Sequence, residues 1–280
     1  MNRRVAGAVI ATASLLVAAA CGSNRHKATV PPSTTAAAAP QTTTTTTTAV
    51  GPAFPLTGLP SNGSANAGRP ALSIKVDNAP SARPQAGLQQ ADLVTEELVE
   101  GGLTRFFATY QSQDAAEVGP VRSARPVDAD LLNELGGGIF AYSGAAAGEI
   151  APVRARSGAV LLDAGAVPDG FFRARGRAAP SNLFTSTATL YRLGTRPGMA
   201  PPPALFAYSS ADPVGTPAGN VTLRFSGMSV VSWRALVSGQ YERDQNGAPD
   251  NDLNGQPLTA DNVVVLSVAI GHTGIYDTAR

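Results

Sequence analysis

Cys21 is the only cysteine of the chain, and it directly follows an uncharged run of apolar and small residues, 5–20, that begins after Arg3-Arg4. That placement excludes much. No intrachain disulfide can form, and no thiolate metal site can be built in the folded part. As a helix the run would rise about 24 Å, short of the roughly 30 Å hydrocarbon core of a bilayer. It therefore reads as an export signal rather than a membrane span. The run ends Ala18-Ala19-Ala20-Cys21-Gly22-Ser23. This resembles a lipobox, in which the cysteine is acylated (palmitate among the chains) and becomes the new N-terminus, although Ala18 stands where Leu is usual. The alternative is ordinary cleavage after Ala-x-Ala, with Cys21 incidental. Residues 1–21 are accordingly expected to be a lipoprotein signal. The implied location is the extracytoplasmic face of the cytoplasmic membrane, held there by a lipid anchor.

Residues 22–53 are rich in Thr, Ala and Pro, with unbroken Thr over 42–48. Such a composition cannot bury enough apolar surface to offset its ordering entropy, and a disordered tether is expected. From Phe54 the pattern changes. Residues 71–76 alternate as a strand and end on the turn signal Asp77-Asn78. Residues 92–99 and 103–111 read as a hairpin around Gly101-Gly102. Val127, Leu131, Leu132 and Leu135 have helical spacing after Pro126. Residues 138–143 read as a short apolar strand and 188–193 as a helix. The stretch 201–217 is a linker by its Pro and Gly content, and 221–225, 229–233 and 263–270 read as strands. The expected fold is mixed α/β (α+β), a layered sheet-and-helix sandwich over 54–200 followed by a smaller β-rich module over 218–280.

Net charge is +1, so no global electrostatic case exists for nucleic acid. The only histidines are His26 and His272; a Ser-His-Asp arrangement could draw only on His272, which sits in a Gly-His-Thr-Gly loop. No cofactor or metal is called for. Asp250, Asp252, Asn254 and Asp261 follow an Asp-x-Asp-x-Asn-Gly calcium-loop spacing, but the flanks look like strands and Pro257 falls inside, so a polar turn is the competing reading.

Three segments set polar residues beside Gly and Pro in an apolar frame: Asp77-Asn78-Ala79-Pro80-Ser81-Ala82-Arg83-Pro84-Gln85-Ala86-Gly87-Leu88, then Glu100-Gly101-Gly102-Leu103-Thr104-Arg105-Phe106, then Gly119-Pro120-Val121-Arg122-Ser123-Ala124-Arg125. In this order they resemble the YerB-like family of bacterial lipoproteins. Gln240-Tyr241-Glu242-Arg243, Gly247, Asp252 and the run after Asn262 resemble that family's C-terminal module. Asp250 stands where relatives often carry His, and the chain stops at Arg280 where the family's module continues, so a truncated module is expected. The resemblance implies a layered α/β fold and an envelope location; it implies no activity.

Arg83, Arg105, Arg122 and Arg125, with Glu96, Glu97, Glu100 and Asp77, are expected to form one charged cluster. The ligand-binding candidates are Asp77, Asn78, Arg83, Glu100, Arg105, Arg122 and Arg125. Guanidinium groups take phosphate and carboxylate in bidentate fashion, which would suit an anionic cell-wall component. Three readings compete with that one. The Arg-Glu pairs can simply brace the loops, Asp77 and Glu100 can serve as a hydrolase's carboxylate pair, or the domain can act as a scaffold for another envelope protein.

Overall fold

The computed structural model describes residues 52–209, 215–269 and 271. The expected signal, Cys21, the tether up to residue 51 and His272 lie outside the described residues. In chain order the strands and helices are β1 (Leu72–Asp77), β2 (Leu93–Leu98), β3 (Thr104–Tyr110), α1 (Asp128–Glu134), β4 (Ile139–Tyr142), α2 (Ala147–Arg156), β5 (Val160–Asp163), β6 (Phe172–Arg173), β7 (Leu183–Phe184), α3 (Thr187–Gly194), β8 (Asn220–Arg224), β9 (Val230–Ala235), β10 (Tyr241–Gln245), β11 (Ala248–Pro249) and β12 (Thr259–Ala260).

A five-stranded sheet in the order β2-β3-β1-β4-β5 forms the middle layer. β1 runs antiparallel to β3 and parallel to β4, so it is enclosed on both edges, and every residue of it is buried. The β2–β3 hairpin turns at Gly101 and Gly102, whose φ values of 70° and 72° are left-handed; glycine adopts them without a Cβ penalty. Alternation along the strands sorts the core into two halves. Leu72, Ile74, Val76, Phe106, Ala108 and Tyr110 face α3 and the segments around Val118, Val121 and Leu183. Phe107, Phe140 and Tyr142 face α1 and α2 through Leu132, Ile150 and Val153. The result is a mixed α/β sandwich, with helices on both sides of the sheet.

A second, antiparallel sheet runs β11-β10-β9-β8, with β12 also on β10. All described residues belong to one compact unit, and Leu205, inside the expected linker, packs against the α1/α2 side of the core. Residues 263–269, within the run expected as a strand, make no ladder. Val264, Val265, Leu266 and Val268 are each more than half exposed, because among the described residues no neighbouring strand offers its backbone to them. No helix among the described residues is long and apolar enough to cross a membrane.

Candidate functional site

The three motifs converge at one end of the central sheet, but they do not make a single cluster. Glu96 and Glu97 are successive strand residues, and successive side chains leave a strand on opposite faces. Glu97 lies opposite Arg105 and Glu96 opposite Phe106. The expected cluster is therefore split between the two faces of the sheet.

On the α1/α2 face, Arg125 grips Glu100 with both Nε (2.8 Å to Oε2) and a terminal nitrogen, and reaches Glu149 Oε2 at 3.1 Å. Arg105 donates to Glu100 Oε1 at 3.1 Å and to the Ser123 carbonyl at 2.9 Å. Arg122 pairs with Asp77 at 3.1 Å. The second motif is thus tied to the third, and the first to the third. Three guanidiniums meet three carboxylates, and Glu149, contributed by α2, is a partner that the motifs did not reveal. Burial alone would push the Glu100 carboxyl up, but the Arg125 hydrogen bond and the Arg105 charge outweigh it and hold the group below its ordinary value. Burial and the Arg125 charge lower Arg105 against the pull of Glu100 and Asp77.

Deeper on the same face, Lys75 is fully buried in the central strand. Its Nζ pairs with Asp128 at 2.6 Å and with Glu97. Asp128 also accepts the Arg125 backbone N–H at 2.7 Å. Burial raises the Glu97 carboxyl more than the Lys75 charge lowers it, and Asp128 pushes it up further. Nothing in the local sequence marks this triad, because Lys75 and Asp128 are far apart in the chain.

On the opposite face, Asn78 donates to Thr104 Oγ1 at 2.8 Å and accepts from Gln85 Nε2 at 2.9 Å. Beside it, Arg243 of β10 is 2% exposed and binds both oxygens of Glu96, at 3.0 and 2.9 Å. Arg243 also pairs with Asp250 and lies 5.1 Å from the Phe106 ring centroid. This buried polar joint fastens the second sheet to the first. It also occupies the loop with calcium-type spacing: Asp250 is held by Arg243, Asp252 Oδ1 accepts the Asn254 and Gln256 N–H groups at 2.9 and 3.0 Å, and Asp261 accepts from Gln240. Those carboxylates are committed to a polar turn, and among the described residues no group of three or more His, Cys, Asp or Glu side chains is placed to hold a metal ion.

Arg83 stands apart from the other candidates. It lines an open cleft of about 410 Å³ together with Arg177, Ser81, Ser181 and Leu253. Neither arginine forms an ion pair among the described residues. Arg83 reaches only the Asn78 carbonyl, at 3.2 Å, and its Nε is buried without a partner. Arg177 holds the Pro84 and Ala82 carbonyls at 2.7 and 2.6 Å, fixing the loop that carries Arg83. Burial and the nearby Arg243 charge lower the Arg83 pKa, with Glu96 and Asp77 opposing; burial lowers Arg177, opposed by Glu117. Both stay cationic, since arginine does not lose its proton in proteins. Arg177 lies between β6 and β7, and only the fold brings it to the first motif.

The family described as "Protein of unknown function (DUF3048) N-terminal domain" matches residues 56–199. The chain is 34% identical over 229 residues to "Putative lipoprotein YerB" of Bacillus subtilis (strain 168), a match covering 77% of this chain and 67% of that protein. The crystal structure of the YerB protein from Bacillus subtilis superposes with a TM-score of 0.65 at 28% identity, over 74% of this chain and 72% of that one.

Proposed function

The chain belongs to the DUF3048 family, and on that premise we propose that it is a lipid-anchored binding protein of the outer face of the cytoplasmic membrane, with an anionic envelope ligand held in the Arg83–Arg177 cleft. The location draws support from the name of its Bacillus relative and from the position of Cys21. The observation that carries the binding reading is the pair of arginines without carboxylate partners, set with Ser81 and Ser181 in one cleft. A half-buried guanidinium without a carboxylate partner is suited to phosphate or carboxylate.

The carboxylate pair considered for hydrolysis, Asp77 and Glu100, fits that chemistry less well. A glycosidase acid is held protonated by a raised pKa, whereas Glu100 is held ionised by two arginines. The scaffold reading keeps one observation in its favour, the exposed apolar side chains of Val264, Val265, Leu266 and Val268.

Titration calorimetry of the full chain with inorganic phosphate, and with a soluble polyanionic wall fragment, tests the proposal. The expected result is saturable, salt-sensitive binding that weakens about ten- to hundredfold in Arg83→Gln, the equivalent of one charge-assisted hydrogen-bond pair. No binding by a protein that melts cooperatively would favour the scaffold reading instead.

A further inference from the structure

A second cleft, of about 520 Å³, opens on the other side of the 252–254 turn and has a different chemistry. Gln90, Asn254 and Gln256 line it with side-chain amides that have no hydrogen-bond partner among the described residues. Glu242, which pairs with Arg234 at 2.8 Å, and Asp252, whose Oδ1 caps the turn, contribute carboxylates, and no arginine lines the cleft. The two clefts share one wall. Leu253 lines the arginine cleft, while its chain neighbours Asp252 and Asn254 line the amide cleft. That wall is fixed: Leu253 N–H donates to the Gln85 carbonyl at 2.7 Å, and Asp252 Oδ1 caps the turn.

A free amide offers one donor group and one acceptor, which is what a sugar hydroxyl, itself both donor and acceptor, can answer. Carboxylate oxygens beside the amides can accept further hydroxyl hydrogens, and with Glu242 already paired to Arg234 the cleft offers an anionic group no unpaired cation. An acidic group is therefore directed across the Leu253 wall to Arg83 and Arg177, and the neutral hydroxyl-rich part of the same molecule is left facing Gln90, Asn254 and Gln256. We propose that the two clefts are adjacent subsites for one anionic glycan, whose phosphate or carboxylate group sits between Arg83 and Arg177 and whose neighbouring sugar is read by Gln90, Asn254 and Gln256. This rests on the anion-binding reading and names its ligand class.

Calorimetry of the full chain with four probes decides it: inorganic phosphate, a phosphorylated mannose oligosaccharide, a uronate oligosaccharide, and the neutral mannose oligosaccharide of the same length. At least one anionic oligosaccharide is expected to bind tenfold or more tighter than either inorganic phosphate or the neutral sugar, and the tighter of the two identifies the acidic group. Gln90→Ala with Asn254→Ala is expected to erase that gain while inorganic phosphate binds as before. Both side chains lack protein partners, so the double variant should fold, which its melting curve checks. Anionic oligosaccharides that bind no tighter than inorganic phosphate would overturn the two-subsite inference and leave the anion site standing. Failure of all four probes would overturn both.

Discussion

Lys75 carries a charge into the middle of the central sheet, and its surroundings decide what that costs. With Glu97 and Asp128 in contact, the cation is matched; without it, two carboxyl groups remain in a dry site. Removing one partner of a buried ion pair typically costs about 3–5 kcal/mol. Lys75→Met is therefore expected to lower the unfolding free energy by roughly that amount, measured by urea denaturation, and adding Glu97→Gln and Asp128→Asn should recover part of the loss. Two glutamates on this face, Glu97 and Glu100, respond to pH in opposite senses. Glu100 has a folded value below the ordinary 4.5. As pH falls, the unfolded chain takes up the proton first, so the stability from Glu100 is present above about pH 4.5 and is lost as pH drops toward the folded value. Glu97 has a folded value above 4.5. Its folded carboxyl keeps a proton that the unfolded chain has released, so stability declines as pH rises through that window. Urea midpoints measured across pH should fall less steeply below about pH 4.5 in Glu100→Gln than in the parent.

Among the elements, those with a clear period were legible and those without were not. β1, the β2–β3 hairpin, α1, β4 and α3 each announce themselves by alternation, by Gly101-Gly102 or by the spacing of leucines. α2 does not: Pro152 sits inside it, and proline reads as a breaker. Its loss from the sequence reading also hid Glu149. Residues 263–269 show the converse, β-favouring residues whose strand is decided by a partner and not by the residues themselves. Two substitutions follow at this scale. Arg243→Leu leaves Glu96 and Asp250 uncompensated at the joint between the sheets, so limited proteolysis should cut β8–β10 faster than in the parent while the first sheet stays protected. Val265→Lys, on a segment with no strand partner among the described residues, should move the unfolding free energy by less than about 0.5 kcal/mol.

For the whole molecule, the proposed address rests on a linear signal and the proposed site does not. A lone cysteine after an apolar run is a linear signal, and Cys21→Ser is expected to move the chain from the membrane fraction to the soluble fraction on cell fractionation. The motif arginines were legible as a set but not by role. Arg105, Arg122 and Arg125 belong to a charge-balanced brace, whereas Arg83 faces an open cleft with Arg177, a residue nearly a hundred positions away whose part no local pattern could show. That division of labour among the arginines is the central claim. It is tested most directly by measuring phosphate affinity and urea stability on the same preparations of Arg83→Gln and Arg125→Gln. Arg83→Gln should lose affinity about ten- to hundredfold with stability nearly unchanged, and Arg125→Gln should lose stability while its folded fraction binds like the parent. Loss of binding in Arg125→Gln with stability intact, and normal binding in Arg83→Gln, would contradict it.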